Sequence, residues 1–166
     1  MDDLIVGAIV QLSDYRARRV LPDHDARMER GREIIREAIT RTIIEDYASL
    51  PIVTVSLAIA EAGRALDENG TFADAVEASA IVLRRAMVEA VGVGRIRPLL
   101  FEVAYLKAVR FKVVAAVLRE RWVRDHRAPE DYHYALCRAR RATRGGGCID
   151  VALYQALGDD CAGGAT

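Results

Sequence analysis

Between Phe72 and Val91 the apolar residues return at steps of three and four. Phe72, Ala75, Val76, Ser79, Ala80, Leu83, Ala86, Met87, Ala90 and Val91 make one stripe, and Asp74, Glu77, Arg84, Arg85 and Glu89 fall elsewhere. A strand would alternate every second residue, whereas these steps keep one face of a 3.6-residue helix apolar. The same spacing recurs at Met28, Ile35, Ile39, Ile43 and Tyr47, and prolines or glycines punctuate the runs. Faces this wide, joined by short loops, predict an all-α fold: a compact helical bundle or orthogonal array of about six to seven helices.

The punctuation sets the expected boundaries. A first helix spans about Asp2 to Arg19, acidic at its start and rich in arginine at its end, as the helix dipole favours. Its run Leu4 to Val10 is apolar on every side, so it is buried by its own domain or docked on a partner. Leu4, Ile5, Ile9 and Leu12 are therefore the expected contacts of any homo-oligomer. A second helix starts near Asp25. Pro51 interrupts it, and a third helix begins there with Ser49 as its expected cap. The opening Ile52-Val53-Thr54-Val55 also suits a strand, but the Ala-rich spacing to Leu66 favours helix. Thr71 and Asp74 have the spacing of a capping box for the fourth helix, which Gly92 and Gly94 end. Pro98 opens a fifth helix to about Asp125 and Pro129 a sixth to about Thr143. Gly145-Gly146-Gly147 stops the sixth, and a short seventh runs from about Cys148 to Leu157. Residues 1–158 are expected to form one domain, with 159–166 as a tail.

A chain of 166 residues, 52% apolar, has enough core to fold without disulfides or metal. Only 6% is aromatic, so Ala, Val, Ile and Leu must build that core. Three cysteines, Cys137, Cys148 and Cys161, are too few for a secreted disulfide scaffold. The start Met1-Asp2-Asp3 lacks the positive charge of a secretory signal. The longest uncharged stretch, Tyr47 to Ala60, is too short to span a bilayer. A cytoplasmic location with no membrane span is expected.

Net charge is zero, which argues against a nucleic-acid coat or a membrane-surface protein, yet the charge is unevenly placed. Residues 1–94 hold 11 basic and 16 acidic side chains, while residues 95–144 hold 13 basic and 5 acidic. Arg119, Arg121, Arg124, Arg127, Arg138, Arg140, Arg141 and Arg144 thus make a basic region at the junction of the fifth and sixth helices. Trp122, Tyr132 and Tyr134 are interleaved with them. Arginine among aromatics is the composition of protein-interface hot spots. A helix-turn-helix reading fails on its recognition helix, because Cys148 to Leu157 offers no Arg or Lys to base edges.

Glu130, His133 and Cys137 share one face of the sixth helix, and His133 with Cys137 stands one turn apart. With Cys148 and Cys161 they spell H-x₃-C-x₁₀-C-x₁₂-C, which has a zinc site's ligand types but no C-x₂-C knuckle. Glu130 to His133 matches the E-x-x-H of di-iron bundles, but neither His24 nor His126 has a Glu three residues earlier. The glycine clusters follow no strand and read as helix stops.

The expected function is that of a non-catalytic helical interaction protein: an adaptor, accessory subunit or small regulator. Its partner, a protein, would meet Arg119, Arg121, Trp122, Arg124, Arg127, Tyr134, Arg138, Arg140, Arg141 and Arg144. No cofactor is expected. Two alternatives stand beside it. One is a nucleic-acid-binding regulator using residues 95–144, and the other a metal- or thiol-dependent enzyme at His133, Cys137 and Cys148.

Overall fold

The apolar stripes coil as their spacing predicts. The computed structural model describes residues 25–92 and 98–157, and within them every regular element is an α-helix. The first helix expected at 2–19, with Leu4, Ile5, Ile9 and Leu12, and the tail 159–166 lie outside the described residues. The chain divides into two units, residues 1–33 and 34–166. Helix α1 (residues 25–46) contributes 25–33 to the first unit and the rest to the second. It is followed by α2 (Ile52–Asp67), α3 (Phe72–Val91), α4 (Pro98–Arg124), α5 (Pro129–Arg144) and α6 (Ile149–Leu157). No helix among the described residues is long and apolar enough to cross a membrane.

In the first unit, Arg30–Glu33 at 2.7 Å and Arg32–Glu29 at 3.2 Å are exposed pairs three residues apart. Such pairs add only a few tenths of a kcal/mol to a helix. Met28, expected on the apolar stripe, is half exposed.

The second unit is an all-α bundle with two apolar clusters. In the first, Ile34, Ala38, Ile39 and Ile43 of α1 pack with Ala58, Ala62 and Leu66 of α2 and Ala75, Val76, Ala80 and Leu83 of α3. Alanines on both α2 and α3 let the two backbones approach, and the two helices pack extensively. Phe101, Tyr105, Val109 and Val113 of α4 complete the cluster. The second cluster joins Val114, Leu118 and Trp122 of α4 to Ala135 and Ala139 of α5 and Ala152, Leu153 and Ala156 of α6. At 27 residues α4 is about 40 Å long. It belongs to both clusters, which is why its sequence carries so few charges before Leu118.

Buried hydroxyls are satisfied locally. Thr42 Oγ1 donates to the Ala38 carbonyl at 2.8 Å, and Thr143 Oγ1 shares its proton between Ala139 and Arg140 carbonyls at 3.1 Å. Ser79 Oγ reaches the Ala75 and Val76 carbonyls at 2.9 and 3.0 Å, and lies 2.8 Å from Tyr105 Oη. With the Ser79 proton turned to those carbonyls, Tyr105 is the donor. Its ring lies 5.9 Å from Phe101, nearly parallel, and Tyr47 meets both edge-on.

The helix ends show which local signals acted. Thr71 and Asp74 form the reciprocal capping box. Helix α2, in contrast, is capped by Pro51 rather than Ser49, with no side-chain capping bond. Proline already has the right φ and no N–H to satisfy, so it serves as the last extended residue and Ser49 falls back into the preceding turn. The β-branched start of α2 is helical, with Ile52 and Val53 facing outward at 80% and 74% exposure.

Three helices stop by one geometry, a 6→1 bond closed over a residue in the left-handed region. In α2, Gly70 N donates to Ala65 O at 2.9 Å over Asn69, at φ 63°. A Cβ at Gly70 would fall 2.2 Å from the Ala65 carbonyl oxygen, so only glycine fits. In α5, Gly147 N donates to Ala142 O at 3.2 Å over Gly146, at φ 87°. In α4, Arg127 N donates to Trp122 O at 3.1 Å over His126, at φ 49°. Histidine there bears a steric penalty that glycine lacks. His126→Gly is expected to raise stability by about 0.5–1 kcal/mol in chemical denaturation, and a loss would show that the imidazole holds the corner.

Candidate partner-binding surface

The basic region is built around the corner between α4 and α5. Trp122, only 7% exposed, donates from Nε1 to the carbonyl of Ala128, the N-cap of α5, at 2.8 Å. Tyr132 packs against it with ring centroids 5.8 Å apart and donates from Oη to the Ala115 carbonyl at 3.4 Å. Burial pushes the Tyr132 phenol up, while nearby Arg119 works in the opposite direction. Arg127 lies over the indole at 5.1 Å. A buried indole with its N–H satisfied locks the two helices together.

The arginines that share this region do different things. Arg138 donates from Nη2 to the Ala156 carbonyl at 2.7 Å and from Nε to the Gln155 carbonyl at 3.2 Å, so it closes the C-terminal end of α6. Arg110, which sequence reasoning passed over, reaches the Gly146 and Gly147 carbonyls at 3.4 and 3.1 Å. Arg124 pairs with Asp125 at 2.9 Å, and that hydrogen bond, helped by the charges of Arg124, Arg127 and Arg121, holds the Asp125 carboxyl below the usual carboxylate range. Arg140 lies over Phe111 at 4.9 Å. Arg119, Arg121, Arg140, Arg141 and Arg144 form no ion pair with another described residue.

Apolar surface accompanies this charge. Tyr134 is 65% exposed and Val123 71% exposed. An open groove of about 570 Å³ runs past Trp122, Arg127, Asp131, Tyr134, Arg138 and Leu157. A second, of about 470 Å³, lies along Arg119, Trp122, Val123 and Tyr132. Both Trp122 and Arg127 line each groove, so the corner forms the ridge between them. Of the positions expected from sequence, Arg119, Trp122, Arg127, Tyr134 and Arg138 line the grooves at this corner, whereas Arg140 and Arg144 lie further along α5, beside Lys107 and Phe111 of α4.

His133 and Cys137 do meet: Nε2 lies 3.7 Å from Sγ, on the exposed side of α5. Cys148 is an exposed free thiol. Among the described residues no three His, Cys, Asp or Glu side chains converge as a metal site would require. Cys161 lies outside the described residues. Both members of the pair are exposed, without the burial that sets up nucleophilic catalysis.

Comparison of the chain with protein-family models, with curated proteins and with solved structures gives no match in any of the three.

Proposed function

We propose that this protein is a non-catalytic helical interaction protein that binds an acidic stretch of a protein partner through the α4–α5 corner. One observation carries the reading: Arg119 and Arg141 are exposed and Arg121 half-buried, none forms an ion pair with another described residue, and the same two helices expose Val123, in one groove with Arg119, and Tyr134. Exposed arginine next to aromatic and aliphatic surface matches the make-up of interface hot spots. The guanidinium fork also suits carboxylates, which it can bind through two parallel hydrogen bonds. A protein partner is favoured over nucleic acid because α6, after its glycine turn, exposes Asp150, Val151, Tyr154 and Gln155, and no cation.

The test is capture of partners from the native cell by the wild-type protein and by the triple variant Arg119→Glu, Arg121→Glu, Arg141→Glu. Arg138 is left intact because reversing it would release α6. The variant is expected to lose the captured partner with an unchanged circular dichroism spectrum, and wild-type capture should weaken with salt as the exposed charges are screened. Equal capture by both proteins would end the reading. A duplex probe whose log affinity falls steeply with log salt would replace it with the nucleic-acid alternative.

A further inference from the structure

Lys107 and Phe111 sit one turn apart on α4, and Arg140 and Arg144 one turn apart on α5. Packing of the two helices brings these pairs together around a cleft of about 190 Å³, bordered also by Thr143. Three cations and no carboxylate line it. None of the three forms an ion pair with a described residue, and the only partner shown for any of them is the Phe111 ring beneath Arg140.

Folding gathers like charges only against their mutual repulsion, so a helix dipole is the first explanation to weigh. Basic residues near the end of α5 do offset its exposed carbonyls. Here, however, those carbonyls already have partners. Arg141, Thr143 and Ala142 carbonyls accept from the N–H groups of Gly145, Gly146 and Gly147, and Arg110 holds the carbonyls of the turn itself. Lys107 comes from a different helix, mid-way along it, and is half-buried. The helix end therefore does not account for the cluster.

We infer that this cleft is an anion site that takes a small phosphate-bearing ligand. Its volume is below the range that encloses a drug-sized molecule but ample for a compact oxyanion. One ammonium and two guanidinium groups converging from two helices match a tetrahedral, doubly charged ion better than a single carboxylate. Phe111 gives the cleft one apolar wall, which lowers the local dielectric and strengthens each contact. Arg140, resting on that ring, already lines the cleft. The site does not depend on the protein-partner reading, and its residues are distinct from those reversed in the capture test.

The full chain would be titrated with inorganic phosphate and with pyrophosphate, followed by calorimetry and by arginine side-chain NMR, at constant ionic strength with chloride as the control anion. Saturable binding is expected, tighter for pyrophosphate, with the Arg140 and Arg144 Nε–H signals moving. Lys107→Gln and Arg144→Gln, one on each wall and neither in an apolar cluster, should each weaken binding about tenfold, the cost of one charge-assisted contact. Arg85→Gln, on α3 in an exposed pair with Glu89, removes the same charge elsewhere and should leave binding unchanged. Non-saturable shifts, or equal losses in all three variants, would overturn the site as a general effect of positive charge. A duplex oligonucleotide that binds far more tightly than pyrophosphate, and loses that binding in Lys107→Gln, would also overturn it in favour of a nucleic-acid surface.

Discussion

Trp122→Ala is expected to cost about 3–5 kcal/mol, the largest loss from any single change at the candidate surface. The indole is 7% exposed and packs in the cluster that joins α4 to α5 and α6. Removing it leaves a void under Tyr132 and takes the support from beneath Arg127. The lost hydrogen bond matters less, since Ala128 is exposed and water can take up its carbonyl. Trp122→Phe should therefore recover most of the loss. The measurement is urea denaturation followed by circular dichroism, because Trp122 is the chain's single tryptophan and fluorescence vanishes with it. A loss below about 1 kcal/mol would show that the corner does not hold α5 and α6 in place.

Alkali should unfold the protein earlier than its exposed side chains would suggest. Burial pushes the phenols of Tyr105 and Tyr47 up to about 12, and Asp46 adds to the rise at Tyr47. In the unfolded chain a tyrosine titrates near 10. Because the folded value is the higher one, the unfolded state gives up its protons first as pH rises. The stabilisation is thus complete below about pH 10 and is lost progressively as pH climbs toward 12. For Tyr105, 1% exposed, the loss amounts to about 2–3 kcal/mol. Tyr47 is only half-buried and contributes less. Denaturation midpoints compared at pH 9 and pH 11.5 should fall more in wild type than in Tyr105→Phe. That variant leaves no buried group stranded, since the Ser79 proton keeps its carbonyls. Parallel falls in the two proteins would mean that Tyr105 is not what titrates.

The candidate surface was only half legible before folding. Clustering of charge between residues 95 and 144 is a property of composition, and it marks a stretch of the chain. It could not say what each arginine touches. Arg138 and Arg140 look alike in sequence, yet one holds the α6 carbonyls and the other rests on Phe111. Helical phase separates them: two residues are 200° of rotation, so they face different neighbours. The carbonyls that Arg110 reaches and the arginines across the cleft from Lys107 were not legible, because they lie more than thirty residues away. His133 and Cys137 stand one turn apart in sequence, and that turn of helix brings Nε2 within 3.7 Å of Sγ.

What the amino-acid sequence decided alone was local. Every described helix, the Thr71 capping box and the glycine stops follow from 3.6-residue periodicity and from backbone preferences, which act within a few residues and need no tertiary contact. Even the strand-like Ile52 to Val55 obeyed the stripe that continues to Leu66, although the choice of Pro51 over Ser49 as its cap did not show. Tertiary structure decided what depends on two helices meeting: the Trp122 corner, the division of the arginines between structural and open positions, and the cleft of Lys107, Arg140 and Arg144. Those arrangements turn on how helix faces rotate and pack against one another, and a single periodic pattern fixes which face is apolar but not which neighbour it will meet.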